Sequence, residues 1–431
     1  MNYIFPFKQH VGAPSEVVVE ENAVVERGQL IAKKPDGVLG SNIFSSVCGK
    51  VIEIRENEIV IEEKDTDYSK YIPLKSETPK DLLAESGLVG LGGAGFPTSV
   101  KLNIDFGGDK GTVIVNAAEC EPILSHNIAR IDEDPEKLLR SLGIVMNIVN
   151  AQKGIIALKG IHQDTVNKLK EVNKNSNVTI FELDNIYPMG EERAVIRESM
   201  GVLLKPDSLP SEADAVVINL ETVLKVREVI EDKKPLIDKD LTVAGKLSEA
   251  GSIHVMFDVP LGIPVGEVFD RCGGLGDEYG ELIMGGPFTG KRTFVDKPIV
   301  KTTGGLIAAE KFLPSPEKIG VLVCACGADE ARLREQAASM NSEVVGVEFC
   351  KNAMLMKNGS RKCLNPGICP GQVQKVMSLK KAGAQAVLIS NCTDCSNTVM
   401  SCAPQLKLPV YHCTDGALRS VNYKLIRRFK N

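Results

Sequence analysis

Short apolar strands alternate with single amphipathic helices along residues 112–232. The apolar runs are GTVIVNAA, GIIALKG, VTIFEL and ADAVVINL, and each precedes one helical segment. Because strands separated by single helices pair in parallel, this rhythm predicts a doubly wound α/β sheet. Ligands of such sheets lie at the carboxyl ends of the strands. We therefore expect any binding site of this region at that edge.

The rest of the chain divides into segments with other patterns, and its 431 residues are enough for three or four domains. We predict an α/β multidomain protein with domains at residues 1–72, 78–235, 238–305 and 316–431. The first alternates short β-branched strands with glycine turns, and it resembles the barrel-sandwich fold of lipoyl domains without a lysine at a hairpin tip. The third is again rich in strand signals. The fourth, which is rich in cysteine, predicts a second α/β domain.

Composition argues against several classes of function. A formal net charge of −5 and a pI near 5.8 disfavour a nucleic-acid partner, which needs a basic surface. The apolar runs are shorter than the roughly 18 residues that span a bilayer, and the first residues lack a signal-peptide pattern. We therefore expect a cytoplasmic protein, with peripheral membrane association left open. In that setting, twelve cysteines favour metal or redox chemistry over a disulfide scaffold.

Residues 85–103 concentrate five glycines between Gly87 and Gly95. Successive backbone N–H groups in such a loop can converge on an anion, and a helix that begins near Pro97 adds partial positive charge. Lys101, one turn along, would complete a phosphate site. The stretch is neither the dinucleotide fingerprint nor the P-loop, because it lacks the preceding strand and the Gly-Lys-Ser/Thr ending. A tight packing turn is the alternative interpretation.

Three further segments place carboxylates and amides at strand ends of the same region. Any one of them alone is equally consistent with a helix cap or a solvated turn. Together with the glycine stretch they favour one shared binding site, because all lie where a parallel sheet binds its ligands. They are VNAAECEP (Asn116, Glu119, Cys120 and Glu121), IYPMGEER (Tyr187, Gly190, Glu191 and Glu192) and INLETVL (Asn219, Glu221 and Thr222).

These four motifs resemble, in the same order, those of the NADH-oxidising flavoprotein subunit of respiratory complex I. They resemble still more closely those of RnfC, a component of the Rnf electron-transport complex. The likeness covers roughly residues 1–310, from the barrel-sandwich segment to a β-grasp-like SLBB domain around GGPFTG. Two departures from complex I favour the Rnf-type branch: Leu91 stands in place of an arginine and Ala118 in place of a carboxylate.

The resemblance implies that the glycine loop binds FMN and that NADH stacks over the flavin. The flavin would then carry the hydride, so no catalytic side chain is expected. Phe96 would stack near the NADH. The implied FMN contacts are Gly90, Gly92, Gly93, Lys101, Asn116, Asn219 and Thr222; the implied cleft residues are Glu119, Glu121, Glu191 and Glu192, with Tyr187 and Gly190 in the same cofactor-binding set.

Nine of the twelve cysteines follow residue 320, but without the ferredoxin-type runs of RnfC. Several end apolar strands, so a parallel sheet would bring their thiols to one edge. The stretches VLVCACG and KKAGAQAVLISNCTDC resemble the small iron–sulfur delta subunit of hydrogenase and heterodisulfide reductase complexes. This likeness implies an iron–sulfur cluster bound by some of Cys324, Cys326, Cys350, Cys392 and Cys395.

Two other interpretations of these cysteines stay open. Structural zinc needs only four thiolates and no redox role. A redox-active dithiol of Cys392 and Cys395 is the other, because a C-x-x-C at a helix start has depressed thiol pKa values. Cys48, Cys120 and Cys272 are isolated in sequence and are interpreted as core packing.

An Rnf-like body with this cysteine-rich end resembles the electron-transfer proteins associated with D-proline reductase. That likeness implies a soluble flavoprotein that oxidises NADH through FMN. Electrons would pass through the C-terminal cysteine centre to a reductase partner, D-proline reductase or a related protein. The alternatives are an RnfC-type subunit of a membrane NADH:ferredoxin oxidoreductase and a non-enzymatic docking subunit with structural zinc.

Overall fold

A computed structural model describes residues 1–249, 251–391 and 393–426, without the side chains of residues 393–397. Four regions follow one another along the chain, and each has its own sheet or pair of sheets. Within the described ranges, no helix has the length and apolar character needed to cross a bilayer.

The first region consists of short, mostly antiparallel strands. Alternate apolar side chains such as Tyr3, Phe5, Ile59 and Ile61 are fully buried, which is the pattern of strands with one face on a core. Strands β1 to β7 are Asn2–Pro6, Glu16–Val17, Val24–Val25, Leu30–Lys33, Ile43–Phe44, Cys48–Ile54 and Glu58–Asp65. They form two sheets with the orders β1-β7-β6-β3 and β2-β4-β5.

The second region contains the predicted parallel sheet. Strands β8 to β11 are Thr112–Ala117, Lys153–Lys159, Val178–Leu183 and Ala215–Asn219, in the order β10-β9-β8-β11. All three pairings are parallel. Helices α1 to α7 are Pro79–Glu85, Thr98–Lys101, His126–Glu133, Pro135–Ile148, Gln163–Val172, Glu192–Met200 and Leu220–Glu231, with a 3-10 turn at Pro210–Ala213. Because β8 and β11 are neighbours, Asn116 and Asn219 face each other at their carboxyl ends.

The third region is a mixed sheet with one helix. Strands β12 to β16 are Asp238–Gly245, Ile253–Pro260, Glu281–Met284, Lys291–Thr293 and Gly305–Ala309, and helix α8 is Val265–Arg271. The strand order is β13-β12-β16-β14-β15, and only the β12–β16 pair is parallel. The strand-rich character predicted for this segment is confirmed, whereas its SLBB assignment stays a prediction.

The fourth region is a second parallel α/β sheet. Strands β17 to β22 are Lys318–Val323, Glu343–Phe349, Ala353–Leu355, Arg361–Cys363, Ala386–Ile389 and Val410–His412; helices α9 to α12 are Glu330–Ser339, Val373–Lys381, Thr393–Cys402 and Asp415–Ser420, with a 3-10 turn at Pro404–Leu406. The sheet order is β18-β17-β21-β22. Cys324, Cys350 and Cys413 follow β17, β18 and β22, so three of the cysteines come directly after strands. The β19–β20 hairpin is a feature that the sequence analysis does not predict.

Buried polar contacts join the first three regions. Arg27 of the first region forms an ion pair with Asp238 of the third at 3.0 Å, and Lys225 of α7 binds the same carboxylate at 2.6 Å. Lys301 is fully buried, and its Nζ donates to Ser41 Oγ and to backbone carbonyl oxygens of the first and second regions. These contacts fix the position of the third region against the carboxyl edge of the β8–β11 sheet.

The fourth region packs against the second and third. Arg193 Nη2 of α6 donates to the Cys363 carbonyl oxygen at 2.6 Å, and the Tyr187 hydroxyl donates to the Cys326 carbonyl oxygen at 2.5 Å. Arg332 of α9 forms an ion pair with Glu281 of β14 at 2.5 Å. The cysteine-rich region is therefore held directly beside the carboxyl edge of the parallel sheet.

Candidate functional site

A cavity of about 800 Å³, here called the cleft, opens at the carboxyl ends of β8 and β11. Its volume is within the range of small-molecule sites. The third region closes it from the other side, with residues from 284–293 and 302–304. The second region contributes Leu91, Gly92, Gly93, Ala94, Asn116, Glu119, Cys120, Glu121, Leu124, His126, Asn127, Gly190 and Asn219.

The glycine loop exposes its backbone to the cleft. A Cβ added at Gly92 would lie 2.4 Å from the Asn219 amide nitrogen, so a side chain there would displace Asn219. Gly93 faces open space, with no atom within 4 Å of such a Cβ. Gly90 supports the loop, because its N–H donates to the Phe96 carbonyl oxygen at 2.9 Å. This arrangement allows a ligand to approach the main chain closely, as the sequence predicts for such a loop.

Polar side chains fix the loop to the sheet. Thr222 Oγ1 accepts a hydrogen bond from the Leu91 N–H at 3.0 Å, which ties the loop to α7. Asn219 caps α7 through its side-chain oxygen, and Asn116 Nδ2 donates to the Gly190 carbonyl oxygen at 2.8 Å. Asn116, Asn219 and Gly190 line the cleft, whereas Thr222 acts beneath its wall.

Asn127 is a cleft residue that the sequence analysis does not identify. Its side chain is 6% exposed, and Nδ2 donates to Glu119 Oε1 at 3.3 Å. Its Oδ1 has no hydrogen-bond partner within the part of the chain that the structure describes. A buried amide oxygen without a partner is costly, so this atom indicates a donor that a bound ligand would supply. No local sequence pattern marks it, because Asn127 lies in the first turn of α3.

The two glutamates of the VNAAECEP motif have different environments. The Glu119 carboxylate accepts a hydrogen bond from the Asn127 N–H at 2.9 Å, which places it beside the first turn of α3. Glu121 accepts hydrogen bonds from the Phe288 N–H at 2.7 Å and from the Thr289 N–H at 3.0 Å. Burial raises the pKa of the Glu121 carboxyl, although these hydrogen bonds oppose the shift. Both residues line the cleft, and Glu121 also connects the second region to the third.

Lys101 does not complete the wall of the cleft in this structure. Its Nζ donates to Glu192 Oε1 at 2.8 Å and to the Val217 carbonyl oxygen at 2.6 Å. Glu191 caps α6 and pairs with Arg193 at 2.9 Å, so its carboxylate is also engaged. Phe96 is 38% exposed and lies outside the lining of the cleft. Lys101 has these partners because it lies on the short helix α2, which directs its side chain toward Glu192 and β11.

A second cavity, of about 340 Å³, continues from the cleft toward the cysteine-rich region. Gly92, Cys120, Glu121, Gly190 and Thr289 line both cavities. The far wall of the second cavity contains Cys326 and Cys363, and Tyr187, Glu191 and Arg193 line its side. The Tyr187 ring stacks on Phe288 with centroids 3.7 Å apart. The second cavity therefore adjoins the cleft along a shared wall and extends to Cys326 and Cys363.

Five cysteines line one small space, here called the cysteine pocket: Cys324, Cys326, Cys350, Cys363 and Cys369. The structure thus brings together three of the five cysteines that the sequence analysis proposes as metal ligands. Cys392 and the side chain of Cys395 lie outside the described residues, as does their proposed dithiol. Cys363 and Cys369 are present in the sequence without a recognisable metal-binding spacing, so only the fold reveals their position.

The thiols of the cysteine pocket interact with one another. Hydrogen bonds to Cys324 and Cys363, together with burial, raise the pKa of the Cys326 thiol. The Cys326 hydrogen bond lowers the pKa of Cys363. Cys120 lines the cleft instead, where burial raises its pKa to about 12, and its sulfur accepts the Gly190 N–H at 3.3 Å. Because Cys120 lines both cavities, its interpretation as a packing residue stays a prediction.

Comparison with known proteins identifies the family. Over 327 residues the chain is 31% identical to the C subunit of the Na⁺-translocating ferredoxin:NAD⁺ oxidoreductase complex of Acetobacterium woodii, covering 72% of this chain and 73% of that protein. The chain belongs to the RnfC family. The corresponding component of the proton-translocating complex of Clostridium ljungdahlii is also 31% identical, over 71% of this chain and 70% of its own length. The resemblance to RnfC predicted from the motifs is therefore confirmed.

Two domain families also match parts of the chain. Residues 1–70 match the RnfC barrel sandwich hybrid domain, and residues 83–228 match the Nuo51 FMN-binding domain. The cobalamin reductase PduS of Citrobacter freundii is 34% identical over 55% of this chain, which spans 51% of that protein. The chain is thus an oxidoreductase of the RnfC type, and its glycine loop and the second-region wall of the cleft lie within the match to the FMN-binding domain.

Proposed function

We propose that the protein oxidises NADH through bound FMN and passes the electrons through the cysteine pocket to a reductase protein. The observation that carries this proposal is the second cavity, which adjoins the cleft at Gly92 and reaches Cys326 and Cys363. A cofactor domain that only served as a scaffold would not need a space that connects it to a group of thiols.

The chemical groups that line the cleft fit a bound flavin nucleotide. Gly92 and Gly93 expose main chain, Asn116 and Asn219 offer amides, and Asn127 Oδ1 lacks a hydrogen-bond donor among the described residues. We propose that these residues hold FMN, with Gly90 and Thr222 supporting the loop from behind. Lys101 belongs to the proposed site only if it leaves Glu192 when a phosphate binds. When bound, FMN accepts the hydride of NADH and releases the electrons to an acceptor.

The remaining proposed residues orient the dinucleotide. Glu119 and Glu121 line the cleft, and Glu191 and Tyr187 line the second cavity. Their hydrogen bonds to Asn127, Phe288, Arg193 and the Cys326 carbonyl hold them in fixed positions, which favours one orientation of a bound ring. Phe96 offers an exposed aromatic face close to the glycine loop. The task of these side chains is to position the nicotinamide and to exclude water.

For the partner we propose D-proline reductase or a related reductase. The support is the combination of an RnfC-type body with a cysteine-rich region in place of ferredoxin runs. The similarity to a cobalamin reductase agrees with delivery of electrons to a reductase-type system. The membership of the RnfC family supports the second candidate, a subunit of a membrane NADH:ferredoxin oxidoreductase.

The test is an anaerobic absorption spectrum of the full-length protein after reconstitution with FMN, before and after NADH is added. We expect bound flavin whose absorption bleaches with NADH and returns when oxidised D-proline reductase and D-proline are added. A protein that retains no FMN, or whose flavin NADH does not reduce, would contradict the proposed activity. Bleaching without reoxidation by D-proline reductase, but with reoxidation by ferredoxin, would favour the second candidate.

A further inference from the structure

The cysteine pocket is assembled from distant chain segments. Cys324 and Cys326 follow β17, Cys350 follows β18, Cys363 ends the β19–β20 hairpin, and Cys369 precedes α10. Parallel pairing of β17 with β18 brings the first three together. The hairpin and the loop after it add the other two. Convergence of five thiols from separate segments is not required for packing, since apolar side chains of similar volume would fill these positions as well.

The loop that carries Cys363 and Cys369 is fixed by the FMN-binding domain. Arg193 Nη2 donates to the Cys363 carbonyl oxygen at 2.6 Å, and Arg197 Nη1 donates to Asn365 Oδ1 at 2.8 Å and to the Pro366 carbonyl oxygen at 2.7 Å. Both arginines lie on α6, whose first turn borders the second cavity. The two additional thiols are therefore held in position from the flavin side of the molecule.

Gln372 provides an independent observation. Its side chain is fully buried, and its Nε2 lies 3.0 Å from the Cys350 sulfur and 3.8 Å from the Cys369 sulfur. Its Oε1 has no hydrogen-bond partner among the described residues. An amide that donates to two sulfurs is the type of outer contact that orients thiolate ligands and tunes a bound metal centre. A buried glutamine beside thiols would otherwise be an unfavourable choice.

We propose that the cysteine pocket binds an iron–sulfur cluster and that Cys363 and Cys369 are among its four ligands, together with two of Cys324, Cys326 and Cys350. This inference rests on the proposed function, because it assigns the electron carrier between the cleft and the partner. Cysteine thiolates are the usual ligands of such clusters. Structural zinc would use four of the same thiols, but their location beside a flavin cleft is of no use to a redox-inactive ion.

The electron balance fits this assignment. Each NADH that becomes NAD⁺ releases one proton and two electrons. A cluster that changes by one electron would pass the two electrons in turn, and the oxidised reductase partner takes both. Cys326 and Cys363 border the second cavity, so they are the ligands that we place nearest the flavin.

The experiment compares Cys363→Ser and Cys369→Ser with Cys402→Ser in the full-length protein, purified anaerobically and reconstituted with FMN. Cys402 is a matched control in the same region, because it lies outside the cysteine pocket and its sulfur donates to the Val399 carbonyl oxygen at 3.7 Å. FMN, iron, zinc and acid-labile sulfide are measured per chain, together with the visible absorption that remains after subtraction of the flavin.

We expect iron, sulfide and a charge-transfer absorption in the wild type and in Cys402→Ser. Both pocket variants should lose most of the iron and sulfide while they keep their FMN. Two results for the wild type would overturn the proposal. One is zinc without sulfide, and the other is a metal-free protein in which two thiols can be titrated. Iron that is unchanged in both pocket variants would exclude Cys363 and Cys369 as ligands.

FMN content separates this inference from the proposed function. Retained flavin that NADH bleaches, in a protein without a cluster, would contradict the cluster alone. Loss of flavin reduction in a protein that contains a cluster would contradict the proposed function alone. If Cys363→Ser is insoluble, Cys369→Ser decides the outcome, because the Cys369 side chain is half-exposed and its substitution disturbs the core less.

Discussion

The cleft and the cysteine pocket are built in contrasting ways. The cleft is a space of about 800 Å³ whose walls are glycine backbone and amide side chains at the ends of adjacent parallel strands. The cysteine pocket is much smaller, at about 10 Å³, and its walls come from loops that contacts between the second and fourth regions hold in place. The cleft therefore depends on the carboxyl edge of one sheet and on the third region that closes it, whereas the cysteine pocket depends on the packing of the fourth region against the second. This contrast predicts that single substitutions can impair either site without the other.

The largest expected effect is the loss of flavin binding in Gly92→Ala. The added Cβ would lie 2.4 Å from Asn219 Nδ2 and 2.8 Å from Asn219 Cγ. Asn219 cannot move freely, because it caps α7, and loss of a cap costs about 1 kcal/mol. We expect no detectable FMN after reconstitution, measured by absorption of the desalted protein, while iron in the cysteine pocket stays at the wild-type level.

Gly143→Ala is the matched control for that variant. Gly143 lies within α4, and a Cβ there meets no atom within 4 Å. Alanine in a helix interior is more favourable than glycine by about 1 kcal/mol, so this variant should bind FMN normally and unfold at slightly higher temperature. Normal flavin binding by Gly92→Ala would show that the cleft tolerates the displacement of Asn219 and would weaken the proposed site.

Much of the cleft is predictable from sequence because its residues are close to secondary-structure boundaries. The strand–helix rhythm fixes which ends of β8 and β11 meet, and this places Asn116 opposite Asn219. The glycine loop is recognisable because its glycines are close together in sequence. Asn127 is not predictable, since its importance comes from a hydrogen bond that the fold leaves unmade. Lys101 is placed differently from the expectation because α2 is only one turn long and leads its side chain toward Glu192.

The cysteine pocket is less predictable for a physical reason. The strand-following cysteines Cys324 and Cys350 can be identified, because parallel strands end at one edge. Cys363 and Cys369 depend on an unpredicted hairpin and on its docking against α6, and such contacts lie far apart in sequence. Arg193, for example, is 170 positions from its partner Cys363. No local pattern records an interaction at that separation.

The second prediction tests the dependence of the cysteine pocket on this docking. In Arg193→Met, the Cys363 carbonyl and the Glu191 carboxylate lose a buried charged donor. Hydrogen bonds to charged groups contribute about 1.5–3 kcal/mol, so we expect a destabilisation of about 2 kcal/mol in urea titrations followed by circular dichroism. Iron content should fall while FMN binding persists.

Arg334→Met is the control, because its exposed pair with Glu330 should contribute only about 0.5 kcal/mol or less. Equal effects of the two substitutions would argue against the docking contact.

The third prediction concerns the pH dependence of the first three regions, where burial lowers the pKa of Lys301 to about 7 from 10.5. Between about pH 7 and pH 10.5, the Lys301 amine is therefore protonated in the unfolded chain and neutral in the folded protein. The free energy of unfolding should consequently rise with pH across this window. The slope is up to about 1.4 kcal/mol per pH unit. Lys301→Met should remove this rise of stability with pH. Lys110→Met, which replaces an exposed lysine, should show the same rise as the wild type. Parallel stability curves for wild type and Lys301→Met between pH 7.5 and about 9 would show that the three acceptors around Nζ keep it protonated.

The smallest expected effect belongs to Asn127→Ala, which tests whether the unmet hydrogen bond serves a ligand. Without ligand, the substitution removes an unsatisfied buried oxygen together with the hydrogen bonds of Nδ2 to Glu119 and His126, so these contributions to stability oppose each other and the midpoint of thermal unfolding should change little. With ligand, one hydrogen bond of about 0.5–1.5 kcal/mol is lost, which corresponds to roughly a two- to twelvefold weaker affinity. Fluorescence titration with FMN, and then with NAD⁺ on the flavin-loaded protein, identifies which ligand supplies the donor. Unchanged affinity for both would mean that Asn127 only positions Glu119.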